Sequence, residues 1–252
     1  MDILLIGANG YMGPHVIREL APRHHLRITD IHPAPPEIRR QFPDHDYFDL
    51  DVTSQDQVLR SSKGADAIVN MSVVRRDPAL AFQVNAIGCY HIMRAAVEHG
   101  IRRVVNTGPH FTVAGPSYEQ YDFRIHPDAP PQPGTGLYPT TKSLGNEVCR
   151  VFSEHHDMYV QDLLFNTLRE EQEMKRGAGG VPFVVTWSDA ARAVRLALEV
   201  DLARLPTRCE VFFILGDIPQ QKFLNDKAKR VLGFQPEGNV APLWKRPEQG
   251  ES

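Results

Sequence analysis

Cysteine is scarce in this 252-residue chain: Cys89, Cys149 and Cys209 stand 60 residues apart and form no ligand-like pairing. An odd, sparse set excludes a disulfide framework and fits a reducing compartment, so a cytoplasmic location is expected. An excess of one charge is also lacking, with 28 lysines and arginines against 31 acids, a net charge of −3 and a pI near 6.4. That balance offers no general attraction to nucleic acid or to an anionic membrane, and neither is expected as a partner. No apolar run approaches membrane-spanning length, and Met1 leads directly into an apolar stretch with no room for a signal peptide. Histidine is plentiful, at eleven residues, yet no His-Glu-x-x-His or similar cluster occurs. His24–His25 and His155–His156 are adjacent pairs whose side chains diverge, so no metal is expected. Internal repeats and low-complexity linkers are missing, which leaves one compact unit.

What is present is an alternation of strand and helix at intervals that suit a parallel sheet. Residues 3–6 (Ile-Leu-Leu-Ile) read as a strand covered on both faces. Further strands are predicted at 26–31, 46–52, 65–73, 102–108, 158–165 and 210–216. Helices are predicted at 78–100, 139–156, 188–200 (with Ser188 as N-cap) and 221–234, the last ending at Gly233. The polar stretch 168–180 reads as loop with some helix, and the tail from Pro242 as frayed. The expected fold is α/β: a Rossmann-type doubly wound parallel sheet with a small C-terminal substrate-binding elaboration. Its parts are a core over 1–165 and a small substrate-binding part over 166–252 that sends segments back to the core.

Two constellations carry chemistry. The first strand breaks into Gly7, Gly10 and Gly13, with Asn9, Tyr11 and Met12 between them, and "PHVIREL" follows with helical spacing. A glycine-rich turn between strand and helix lets backbone N–H groups and the positive helix end approach a phosphate. Asp30 closes the second strand about 20 residues later, where a dinucleotide-binding βαβ unit holds an acid for the adenosine ribose hydroxyls. A carboxylate there repels the 2′-phosphate of NADP, so NAD is the expected cofactor. The second constellation is "YPTTK": Tyr138 and Lys142 lie four residues apart, on one face of a helix. An ammonium beside a phenol lowers its pKa from about 10 and makes it a usable acid/base.

Together these residues resemble the extended short-chain dehydrogenase/reductase superfamily, the group of NAD-dependent epimerases and dehydratases. The resemblance runs from residue 1 to about 235 and is carried by "GANGYMG", Asp30, "DLDVTS", "IVNMSV", "VNAIG", "YPTTK", "WSDAARAV" and "FILGD". The short length, "DIHP" and "GLYPTTKSLGNEVCRVF" look most like its uronate dehydrogenase-like members. The resemblance implies that Asp51 and Val52 lie beside the adenine, that Asn70, Met71 and Ser72 line the far side of the cofactor, and that Asn85 supports the proton relay. It further implies that Tyr138 takes a hydroxyl proton as hydride leaves to the nicotinamide, with Lys142 on the nicotinamide ribose. The implied homodimer pairs the helices at about 79–99 and 139–156 through apolar faces that include Ala81, Val84, Ile92, Ala95 and Ala96, and Leu144, Val148, Val151 and Phe152.

Two departures bear on function. The superfamily usually ends its fifth strand with a hydroxyl pair that binds the reacting oxygen; this chain reads "VVNTGPHFTVAG", with Gly108 and Pro109 there. Thr112 and His110 match positions that the resemblance places near substrate and are expected to take over, with Thr107 as a third choice. After the sixth strand the motifs of nucleotide-sugar members are replaced by "LLFNTLREEQ", and fewer than 90 residues follow. A small sugar or sugar acid is therefore the expected substrate, with Arg169, Lys175 and Arg176 on a loop that could clamp a carboxylate. The expected activity is NAD-dependent oxidoreduction at a hydroxyl or carbonyl. A sugar epimerase or dehydratase with tightly held NAD, or a non-catalytic NAD-binding regulator, are the alternatives.

Overall fold

The apolar run at residues 3–6 alternates between two cores. Ile3 and Leu5 face one side of the sheet with Val16, Ile17, Leu20, Ile28 and Val194. Leu4 and Ile6 face the other with Val58, Ile68, Ile92 and Ala96. A strand buried on both faces needs apolar residues at every position, which is why the run is continuous. The computed structural model describes residues 1–115, 124–178, 183–217 and 222–244.

Seven strands form one parallel sheet: β1 (Asp2–Ile6), β2 (His25–Asp30), β3 (Asp46–Asp49), β4 (Ala67–Asn70), β5 (Arg103–Pro109), β6 (Tyr159–Phe165) and β9 (Cys209–Phe213). Their order is β3-β2-β1-β4-β5-β6-β9. The order reverses between β1 and β4, so a crevice opens beyond their C-terminal ends, the usual ligand position in such sheets. A separate parallel pair joins β7 (Thr167–Arg169) to β8 (Val184–Thr186). β7 corrects the reading of its stretch as loop, in which the only helical piece among the described residues is a 3₁₀ turn at Glu171–Glu173. Residues 179–180 of that stretch, and 245–252 of the tail, lie outside the described residues.

The helices cover both faces: α1 (Gly13–Leu20), α2 (Pro36–Gln41), α3 (Gln55–Ser62), α4 (Pro78–Ala81), α5 (Gly88–Glu98), α6 (Leu137–His155) and α7 (Trp187–Glu199). A π-helical segment at Phe82–Ile87 joins α4 to α5, so the helix expected over 78–100 is present with one widened turn. Such turns recur at functional sites. α7 is capped by Thr186, whose side chain accepts from the Asp189 N–H at 3.1 Å, and not by Ser188 as the sequence suggested. The chain leaves β8 one residue before the helix begins, and that junction decides the cap. Ser188 instead hydrogen-bonds Glu171. The last helix is shorter than expected, starting after Asn225 and ending with a π-helical turn at Ala228–Leu232, and Gly233 closes it in the left-handed conformation at φ +70°. Gln221 lies outside the described residues.

Candidate active site

The glycine turn after β1 is built so that only glycine fits. Gly7 has φ +78°, and a Cβ there would stand 2.7 Å from the Ser72 nitrogen. At Gly13, the first residue of α1, a Cβ would stand 1.8 Å from the Ala8 carbonyl oxygen. The turn thus lies flat against β4 and against its own start. Asp30, at the end of β2, reaches across and accepts the Asn9 N–H at 2.9 Å and the Ile31 N–H at 2.8 Å. Asn9 in turn donates its side-chain amide to the carbonyls of His32 (2.6 Å) and Pro33 (3.2 Å). The expected phosphate turn and the expected ribose carboxylate are therefore adjacent and mutually braced.

From this turn a cleft of about 1070 Å³ runs to the N-terminal end of α6. Gly7, Gly10, Tyr11 and Met12 line it together with Met71, Thr107 and Gly108, and so do Tyr138 and Lys142. Phe165, Asn166, Thr167, Leu168 and Trp187 close the opposite wall. A main-chain cradle beside a helix N-terminus, with an acid at the next strand end, fits a dinucleotide. Asp30, Asp51 and Val52 do not line the cleft. Asp51 accepts the N–H (2.9 Å) and hydroxyl (2.8 Å) of Thr53, and Val52 is buried, its carbonyl bonded by His91 at 3.0 Å.

Lys142 is buried, and its Nζ donates to the carbonyls of Ser72 and Thr107, both at 2.9 Å. It thereby ties α6 to the ends of β4 and β5. Burial disfavours its charged form and lowers its pKa. Tyr138, one helical turn earlier, does not show the depressed pKa that the spacing with Lys142 suggested. Burial raises the phenol's pKa, and the cation that opposes the rise is Arg75, whose guanidinium carbon lies 5.0 Å from the ring centroid. The Lys142 ammonium is turned to backbone carbonyls instead. The side chain of Asn85, the residue expected to support the relay, braces the neighbouring backbone. It clamps Val74 through both its N–H (3.0 Å) and its carbonyl (2.6 Å), and donates to the Thr141 hydroxyl at 2.9 Å. It fixes the loop after β4 against α6.

Beneath the cleft runs a buried polar chain. Ser72 donates its N–H (3.1 Å) and hydroxyl (2.7 Å) to the Asn70 carbonyl oxygen. Asn70 donates to Asn106 at 2.9 Å, and Asn106 donates to Asp162 at 2.8 Å. Burial pushes the Asp162 carboxyl up to about 6, against the opposing pull of Asn106 and Lys142.

None of the three groups expected to replace the missing hydroxyl presents it to the cleft. Thr107 donates to the Asn70 carbonyl at 2.9 Å, and Thr112 to the Pro109 carbonyl at 3.0 Å. His110 is buried among Phe111, Phe183 and Phe223, with Nε2 3.2 Å from the Asn166 amide nitrogen. Thr112 and His110 are absent from the cleft lining, as are Arg169, Lys175 and Arg176, the expected carboxylate clamp. The cations that do line it beside Lys142 are Arg75 and Arg76, on the loop after β4. Sequence reasoning missed both, along with Asn166 and Trp187. The available signal was "VVRRDP", two arginines placed directly after the carboxyl end of a central strand. Among the described residues no helix is long and apolar enough to cross a membrane, and no group of three His, Cys, Asp or Glu could hold a metal.

Comparison with known proteins bears on the family and the fold. The model of the NAD-dependent epimerase/dehydratase family matches residues 3–167. The NAD-dependent glucose-6-phosphate dehydrogenase of Haloferax volcanii is 23% identical over 254 residues, covering 95% of this chain and 94% of that protein. The uronate dehydrogenase of Pseudomonas putida is 27% identical over 158 residues, 61% of this chain and 56% of that protein. The crystal structure of uronate dehydrogenase from Agrobacterium tumefaciens superposes with a TM-score of 0.76 at 20% identity, covering 100% of this chain and 92% of that one. UDP-glucose 4-epimerase from Thermotoga maritima superposes with a TM-score of 0.76 at 15% identity, covering 96% and 97%.

Proposed function

The chain belongs to the NAD-dependent epimerase/dehydratase family, and on that premise we propose that it oxidises a hydroxyl, or reduces the matching carbonyl, of a small sugar or sugar acid. Bound NAD would supply the hydride acceptor; everything else falls to residues of this chain. The turn from Gly7 to Gly13 holds the pyrophosphate, with Asp30 on the adenosine ribose. Asp51 and Val52 stand beside the adenine, and Asn70, Met71 and Ser72 back the cofactor's far side. Tyr138 takes the substrate's hydroxyl proton at its phenol oxygen. Lys142, fixed by Ser72 and Thr107, offers its remaining N–H to the nicotinamide ribose. The part from residue 166 onward supplies the substrate wall, through Asn166, Thr167, Leu168 and Trp187.

The observation that supports this reading is that Tyr138 and Lys142 line the same cleft as the glycine-turn residues Gly7, Gly10, Tyr11 and Met12. A sugar acid or sugar phosphate is favoured because the relatives that match over most or part of the chain are named for such substrates. Absorbance of reduced NAD across uronates, aldoses and sugar phosphates tests the reaction. Tyr138→Phe should abolish turnover while leaving NAD affinity nearly unchanged; full activity in that variant would overturn the assignment.

The protein works as a homodimer in this proposal. Ala81, Ile92, Ala95 and Ala96, which the sequence offered to the dimer face, are buried in the protein's own core. Leu80, Phe82, Ile87 and Tyr90, with Leu144 and Val151 on α6, are the large apolar residues left exposed on those helices. A cytoplasmic location accords with three free cysteines, two of them buried.

A further inference from the structure

We infer that Arg75 is a catalytic residue: its guanidinium lies against the Tyr138 ring within the cleft and shares the negative charge that passes between the phenol and the substrate oxygen. The inference rests on the assignment of Tyr138 as the proton acceptor. When the substrate is oxidised, its C–H bond breaks with the electron pair leaving as hydride to NAD, and its O–H proton passes to the phenolate. The phenol must therefore be ionised beforehand, and negative charge then grows on the substrate oxygen. Both needs call for a fixed cation or donor at that point.

The surroundings leave few other candidates. Gly108 has no side chain and Pro109 no N–H, while the hydroxyls of Thr107 and Thr112 are spent on backbone carbonyls. Lys142 holds two carbonyls and loses charge affinity through burial. The charged and titratable groups that share the cleft with the phenol are Arg75, Arg76 and Asp77 from the loop after β4, Lys142 from α6 and Tyr11 from the glycine turn. Asp77 is engaged as the cap of α4, accepting from Leu80 at 2.8 Å. Arg75 alone among these contacts the ring, at 5.0 Å, and its charge and hydrogen bonding favour the phenolate. Arginine suits the task because it stays charged at every working pH and presents a planar fork to ring and oxygen together.

The test is an ultraviolet difference titration of the phenol in the protein with NAD, using Tyr138→Phe to subtract the other tyrosines, alongside the pH dependence of kcat. Removing a cation raises a phenol's pKa. Arg75→Gln should move the Tyr138 titration and the rising limb of kcat upward by about half to one pH unit, a loss of about three- to tenfold in phenolate below the transition. Arg75→Lys, which keeps the charge, should lie nearer the native protein. An unshifted titration in Arg75→Gln overturns the inference, as does an equal shift in both variants, which would trace the effect to packing. If Arg75→Gln fails to fold, the Arg75→Lys comparison with Arg75→Met decides on the same terms. Turnover in Tyr138→Phe would instead remove the premise, and the two failures are told apart by which variant behaves unexpectedly.

Discussion

Replacing Asp162 by asparagine should change how stability depends on pH, by an amount the surroundings of this carboxyl fix. Asp162 is 1% exposed on β6, and its Oδ1 accepts from Asn106 at 2.8 Å. Oδ2 meets no donor among the described residues. The carboxyl is raised from 3.8 to about 6 in the folded protein, chiefly by burial. A folded pKa above the unfolded one means the native state binds the proton more tightly. The stability this contributes is complete below about pH 4 and is lost as pH rises through about 6. A shift of about two units corresponds to about 3 kcal/mol between the protonated and ionised limits. Asn keeps the acceptor for Asn106 and cannot ionise. Its own cost, a buried N–H₂ where Oδ2 stood, does not vary with pH. The stability difference between Asp162→Asn and the native protein should therefore swing toward the variant by about 2 kcal/mol between about pH 4.5 and about pH 7.5. Urea denaturation of both proteins at matched pH measures this directly. A difference that stays flat across that range would show that Asp162 is not the buried, proton-binding group argued here.

Two further outcomes follow from the cofactor turn and the exposed helices. Asp30 accepts two backbone N–H groups and stands beside the glycine turn, so Asp30→Ala should weaken NAD binding and erase the preference for NAD over NADP in calorimetry; equal affinities in the native protein would remove the basis for that role. Leu144→Glu places a charge in the exposed apolar face of α6 and should convert a dimer to a monomer in light scattering at micromolar concentration, whereas a monomeric native protein would dispose of the dimer altogether.

The parts of this site that could be read in the sequence are those governed by local sterics. The run at 3–6 declares a strand with two buried faces, and Gly7 and Gly13 are glycine because a Cβ would meet backbone at 2.7 and 1.8 Å. The placing of Tyr138 and Lys142 one turn apart on α6 follows from helical pitch alone. β7 was not legible, because three residues of mixed polarity become a strand only when β8, 17 residues later, pairs with them (Thr167↔Val184). The apolar positions of the long helices were legible as apolar, yet which of them face the sheet is set by how the helices rotate against it. That is why Ala81 and Ile92 proved internal while Phe82 and Tyr90 remain outside. The directions of the Thr107 and Thr112 hydroxyls depend on carbonyls that tertiary structure brings near, and spacing carries no record of them.

The contact between Arg75 and Tyr138 belongs to this second kind, since it joins residues 63 positions apart through the clamp of Asn85 on Val74 and Thr141. It also explains a division of labour that the Tyr-x-x-x-Lys spacing conceals. A lysine buried between two carbonyls is held in place by them, yet its charge is weakened by the same burial that fixes it. An exposed arginine is poorly fixed by comparison, yet its charge does not depend on pH. Position and charge are opposing demands on one side chain at this depth. Lys142 meets the first by bracing β4, β5 and α6 around the phenol, and Arg75 meets the second from the open side of the cleft. Gly108 carries no hydroxyl into the cleft, and the side chains of Arg75 and Arg76, on the loop after β4, are donors that line it.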